Sequence, residues 1–206
     1  AYVSPISKFE IEKIDARLAI GGSVNTKTLA GVDPKDFILR RKATRPLMER
    51  MFLSPSRGGV KWTYAFFPTD GDAQEAGMSL RDWEDFIFNA CLLGRRNPVR
   101  EWKKLRVRQR RIVKVLSGIR RLRFVSQGTD LRMSIKGRKW INSHGSQNMP
   151  DGEVFTSPIE ESVQGTISFS YPSKRQGLEI SDIRLTFRDG RVVSASASTN
   201  EHLLHA

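Results

Sequence analysis

Hydrophobic and polar positions alternate along this chain with two different periods. Near the N-terminus Ile14, Ala16, Leu18 and Ile20 alternate with Asp15 and Arg17, the period-2 mark of a strand, and residues 21–26 follow as a Gly/Ser/Asn loop. Asp33 before Pro34 predicts a helix start, and Pro46 is expected to break or restart that helix before Leu47 to Phe52. Residues 60–67, rich in aromatics and closed by Pro68, read as a second strand. Ser79 with Asp82 three positions on forms a capping-box pattern, and Leu80, Trp83, Ile87 and Cys91 then fall on one helical face. A further helix over 98–117 has Asn97 as its cap, Pro98 at its first position and Gly118 just past its end, with Val99, Trp102, Leu105, Ile112 and Leu116 as its apolar stripe.

After Gly118 the period changes to two. Leu122/Phe124, Leu131/Met133/Ile135, Ile167/Phe169/Tyr171 and Ile183/Leu185/Phe187 alternate with polar residues, and Asp189-Gly190 predicts a tight hairpin before Val192. The pattern predicts an α+β chain. Its strands and helices over 1–117 read as the end of an α/β domain, and 118–206 as a mainly antiparallel β-rich portion, with the boundary set where the period changes.

Composition narrows the class without naming a function. Apolar residues make up 38% of the 206, aromatics 9%, and the mean hydropathy is −0.42, values of a globular chain rather than a disordered one. One cysteine, Cys91, excludes an internal disulfide and favours a reducing, cytoplasmic setting; no run reaches membrane-spanning length, so no membrane partner is expected. The net charge of +13 is local. Residues 95–123 carry thirteen Lys and Arg against Glu101 alone, nearly the whole excess. A helix so charged could lie along nucleic acid or another polyanion. A solvated face is the favoured reading, because no helix-turn-helix, RNP-like or zinc-finger pattern accompanies the charge and no aromatic row offers base stacking.

The short catalytic signatures are silent: no His-Glu-x-x-His, no Gly-x-Ser-x-Gly and no phosphate-cradling glycine loop occurs. The loop Asn148-Met149-Pro150-Asp151-Gly152-Glu153 has a turn-forming Asp-Gly that leaves Glu153 at the mouth of a strand, where a carboxylate can ligate a metal; on spacing alone a solvated turn is favoured. His144, His202 and His205 lack a partner set at zinc-like spacing and read as surface or hydrogen-bonded histidines, and Cys91 reads as a buried structural thiol. The residues by themselves assign no catalytic group and no organic cofactor.

At this loop the chain resembles the metalloaminopeptidase family of aminopeptidase T, aminopeptidase S and bacterial aminopeptidase II. Gly-Thr-Asp-Leu at 128–131, Gly-Arg-Lys-Trp-Ile-Asn at 137–142, Asn-Met-Pro-Asp-Gly-Glu-Val-Phe-Thr-Ser-Pro at 148–158 and Gly-Thr-Ile-Ser-Phe at 165–169 stand in the family's order, and Phe67-Pro68-Thr69, residues 73–76 and 78–80 fit as well. The resemblance implies a hydrolase that releases N-terminal amino acids from peptides with a free N-terminus. It implies a cytoplasmic homodimer with two divalent metal ions, zinc or cobalt, and with Glu153 as one ligand. The remaining ligands, a second Glu, two His, a Tyr and an Asp, would lie beyond residue 206. The chain is therefore expected to be the central part of a longer enzyme and inactive alone, with nucleic acid not expected as a partner.

Overall fold

A computed structural model describes residues 2–53, 57–175 and 178–205. These residues fall into two compact units, 1–102 with 144–151, and 103–143 with 152–206. Among the described residues the elements run α1 (Pro5–Lys13), β1 (Ala16–Gly21), α2 (Pro34–Phe52), β2 (Lys61–Phe66), α3 (Asp70–Glu75), α4 (Leu80–Ala90) and α5 (Pro98–Leu116). Strands then dominate: β3 (Arg121–Ser126), β4 (Thr129–Ser134), β5 (Ile141–Asn142), β6 (Asn148–Met149), β7 (Val154–Phe155), β8 (Gln164–Ser168), β9 (Ser173–Arg175), β10 (Leu178–Ile180), β11 (Arg184–Arg188) and β12 (Arg191–Ser196). The chain is α+β.

In the first unit β1, β2 and β6 form a parallel sheet in that order. The edge strand β1 carries its apolar set outward, with Leu18 67% and Ile20 66% exposed, so the alternation that marks the strand does not mark a buried face here. Strand β6 is the unexpected member. It lies far along the chain among the antiparallel strands, yet Asn148 and Met149 pair with Tyr64 and Ala65, and Tyr64 N–H donates to Gln147 O at 2.7 Å.

The helix signals act locally as the sequence implies. The Asp33 carboxylate accepts from Lys35 N–H at 2.8 Å, the Ser79 hydroxyl accepts from Asp82 N–H at 3.1 Å and donates to its carboxylate at 2.7 Å, and Asn97 accepts from Arg100 N–H at 2.9 Å. Arg50 donates to the last carbonyls of α1, Ile11 and Glu12, at 2.9 and 3.0 Å, where the helix leaves acceptors unpaired. One expectation is corrected. Helix α2 runs unbroken through Pro46, because the carbonyl that loses its donor belongs to Lys42, and both residues sit on the exposed side where water replaces the bond.

In the second unit β12, β11, β8, β4 and β3 form an antiparallel sheet in that order. Ile180, Ile183 and Leu203 make a buried cluster with Leu178, Leu185, Ala197 and Leu204 against it. Strand β8 stops at Ser168, so Phe169 and Tyr171 lie past its end, 43% and 85% exposed, and are not core. The Asp189-Gly190 turn joins β11 to β12 with φ of 49° and 74°, the positive pair that a two-residue hairpin demands.

Gly190 has a second constraint, since a Cβ there would run into the carbonyl of Glu160, whereas Gly137, at the same φ of 74°, faces open space. Gly137→Ala is therefore expected to lose about 1 kcal/mol, the left-handed backbone cost alone. Gly190→Ala is expected to lose clearly more in urea unfolding; equal losses would show that the contact with Glu160 is relieved freely.

Candidate functional site

Glu153 enters β7 directly after Gly152, whose φ of 124° is open chiefly to glycine. Strand β7 pairs with β5 through Ile141 with Phe155 and Asn142 with Val154. The backbone of Glu153 is held from two sides: its carbonyl accepts from Ser143 N–H at 2.9 Å and from the side-chain amide of Gln109 at 2.7 Å. The same amide donates to Ser143 O at 2.9 Å. Gln109 is 2% exposed, so these are bonds in a dry environment, and its amide orientation is fixed, because a flipped group would face two carbonyls with an oxygen. Its Oε1 is buried without a partner. The carboxylate of Glu153 lies on an exposed residue while its main chain is pinned.

Gln109 was not among the sequence candidates. The one signal for it is a neutral residue four positions after Leu105 and seven after Trp102, in a helix whose other polar positions are mostly Lys and Arg. The stripe of α5 is correspondingly shifted: Trp102 and Gln109 are buried and Leu105, Val113 and Leu116 half-buried, whereas Val99 and Ile112 are 63% and 43% exposed. On the other side Arg100, Lys103, Lys104, Arg108, Arg110, Arg111 and Lys114 are all exposed.

The other sequence candidates lie apart from a ligand set. His202 and His205 are exposed at a 3-10 turn over 201–204, and His144 is half-buried. Among the described residues no group of three or more His, Cys, Asp and Glu side chains could hold a metal ion. Glu153 carries a carboxylate, a hard oxygen donor by type, and belongs to no such group within those residues. Asp151 accepts from Gly145 N–H at 2.9 Å and so helps to shape the 144–151 loop. Cys91 is buried, its carbonyl accepts from the Trp102 indole at 2.9 Å, and burial pushes its thiol pKa up, as for an inert thiol.

The Thr129-Asp130-Leu131 segment occupies β4. Arg123 on β3 grips Asp130 with two bonds of 2.8 Å, and Arg132 approaches at 3.5 Å. The Arg123 hydrogen bond is the largest cause holding the Asp130 pKa down from 3.8 to about 2.

A family model described as thermophilic metalloprotease (M29) matches residues 3–206. The chain belongs to this family. Among curated relatives, aminopeptidase PepS of Streptococcus thermophilus is 28% identical over 99% of this chain and 54% of its own length. Aminopeptidase AmpS of Bacillus subtilis is 28% identical over 95% and 52%. The solved structure of wild-type AmpT from Thermus thermophilus superposes with a TM-score of 0.74 at 26% identity, over 97% of this chain and 53% of that one. The M29 chain described here spans about half the length of the curated relatives it matches.

Two measurements test this site. Gln109→Leu should lower the unfolding free energy by about 1–3 kcal/mol, since it removes two buried hydrogen bonds. Gln109→Glu should cost more at neutral pH, where two carbonyls would face a carboxylate, and recover part of the loss in acid as the new carboxyl protonates. A Gln109→Glu chain as stable as the parent at pH 7 would contradict the clamp. For Asp130 the folded pKa is the lower one, so its contribution is present above pH 3.8 and is lost as pH falls toward 2. Asp130→Asn should flatten the acid limb of the stability profile in that window; because the pair is exposed, the effect on neutral-pH stability should be small.

Proposed function

We propose that this chain is the central portion of a metal-dependent aminopeptidase that releases N-terminal amino acids from peptides, with Glu153 as one ligand of a two-metal centre. The match to the M29 family over residues 3–206 carries the reading. The pinned main chain and exposed carboxylate of Glu153 support the ligand role, because a donor on a fixed backbone loses little freedom on coordination. In this reading residues 1–117 close an α/β domain and 118–206 open the β-rich catalytic domain. The remaining donors, a second Glu, two His, a Tyr and an Asp, come from the chain beyond residue 206. A bound pair of divalent ions, zinc or cobalt, supplies a Lewis acid for the peptide carbonyl and a nucleophile from water near neutral pH. What this chain contributes is the placement of one negative oxygen ligand, which offsets part of the repulsion between two cations.

The whole protein is read as a cytoplasmic homodimer acting on peptides with a free N-terminus, and this chain alone as inactive. No helix among the described residues is long and apolar enough to cross a membrane. Polyanion binding along the exposed basic side of α5 is the competing reading, and family membership weighs against it, since the M29 match extends through that helix rather than stopping at it.

In the complete enzyme Glu153→Gln keeps size and hydrogen-bonding capacity but removes the ligand charge. Metal content by elemental analysis should fall, and turnover of leucine arylamide should drop by about two orders of magnitude or more, as for loss of a Lewis-acid centre. Melting of the metal-free protein should shift by no more than an exposed polar swap allows, about 0.5 kcal/mol. Full metal occupancy with ordinary turnover would refute the ligand role.

A further inference from the structure

The parallel sheet of the first unit ends on β1, and its last strand is open in two directions. Lys61 N–H donates to Asp15 O at 3.0 Å and Phe67 N–H to Gly21 O at 2.8 Å, so Asp15, Arg17, Ala19 and Gly21 turn their main-chain groups toward β2. Alternate residues of a paired strand point their main-chain groups to opposite sides. Those of Leu18 and Ile20 therefore point outward from the sheet edge, where no strand meets them among the described residues.

The side chains of the same two residues are exposed as well. Helix α2 covers one face of the sheet: Phe52 meets Trp62 edge-on at 5.4 Å, and Met51 Sδ accepts from Arg17 at 3.5 Å, Arg17 and Trp62 being partners in the ladder. Leu18 pairs with Thr63 and Ile20 with Ala65, each an odd number of positions from that pair, so both lie on the face that α2 leaves bare. Parallel sheets are ordinarily covered on both faces, and free edges are ordinarily protected by a lysine, a proline or a bulge. Strand β1 has none of these. Its ladder with β2 is regular from Ala16 to Gly21, and its one charged residue, Arg17, is turned to α2.

The chain order indicates what fills the edge. Helix α1 leads into β1 and is tied to α2 through Arg50, which places it on the covered side. Strand-helix-strand connections in parallel sheets are right-handed. With α1 and α2 on one side, a right-handed path through α1 into β1 starts from a strand on the free edge, as the path through α2 ends on β2 at the other edge. The curated relatives are about twice as long as this chain, which leaves ample polypeptide for such a strand in a longer protein.

We propose that the free edge of β1 receives a parallel strand from polypeptide preceding Ala1, and that the same polypeptide covers Leu18 and Ile20 on the bare face. That occupant presupposes the longer protein of the reading above but not its metal centre. An open edge in an active, metal-loaded enzyme would thus refute the strand alone.

Hydrogen exchange at single amides of the complete protein tests this. In the 206-residue chain Arg17 and Ala19, bonded to β2, should be protected, and Leu18 and Ile20 should exchange at least about a hundredfold faster. In the complete protein all four should be protected alike. Fast exchange at Leu18 and Ile20 there would overturn the proposal. Protection of these two in the 206-residue chain that grows with its concentration would also overturn it, since a second copy would then fill the edge. Leu18→Lys should leave the melting midpoint of the 206-residue chain unmoved, as for an exposed site, and lower that of the complete protein by several degrees. Equal, small shifts in both would overturn the cover over Leu18. If the shorter chain does not hold its fold alone, or Leu18→Lys unfolds the longer one, exchange at the four amides of the unaltered complete protein still decides.

Discussion

The short β5–β7 pair of the second unit is held by one buried amide. Gln109 projects from a helix dominated by Lys and Arg into a site where it is 2% exposed, and its two N–H bonds fall on the carbonyls of Ser143 and Glu153. Those carbonyls belong to the ends of the short β5–β7 pair, which two residues per strand could not stabilise alone. The amide matters because its two bonds are made in a dry environment, where a lost hydrogen bond is not replaced by water. The position of Glu153 is therefore fixed through its main chain, and its carboxylate is left outside that network.

Charge is divided along the chain in a way that serves two different ends. The excess of Lys and Arg lies on the solvent side of α5 and its flanks. A cavity of the first unit is lined instead by two carboxylates and aromatic rings. Global net charge thus says little about what this protein binds at a particular place.

Much of the fold is legible in the sequence wherever the signal is local. The Asp33, Ser79 and Asn97 caps, the proline at the start of α5 and the Asp189-Gly190 turn each depend on bonds within three or four residues, and all appear in the structure. The candidate site was legible by another route: spacing alone left Glu153 a turn residue, and only the run of motifs over 128–169 suggested a ligand. Where local rules compete with water the sequence misleads. Pro46 does not stop α2 because solvent takes the orphaned carbonyl, and the apolar stripe of α5 is rotated because which side of a helix is dry depends on what packs there.

The sequence by itself determined the α+β class, the starts of α2, α4 and α5 but not α1 or α3, the hairpin turn and the resemblance that the family match bears out. Tertiary structure alone decided that β6 returns to pair with β2, that Leu18 and Ile20 of β1 face solvent, that Gln109 is a clamp and that Asp72, Glu75 and Trp83 share one cavity. The physical reason is range. Caps and turns are closed by neighbours along the chain and leave a fixed local spacing. Burial, cross-chain pairing and the convergence of polar groups are set by residues that meet only after folding, and no spacing in the sequence records them.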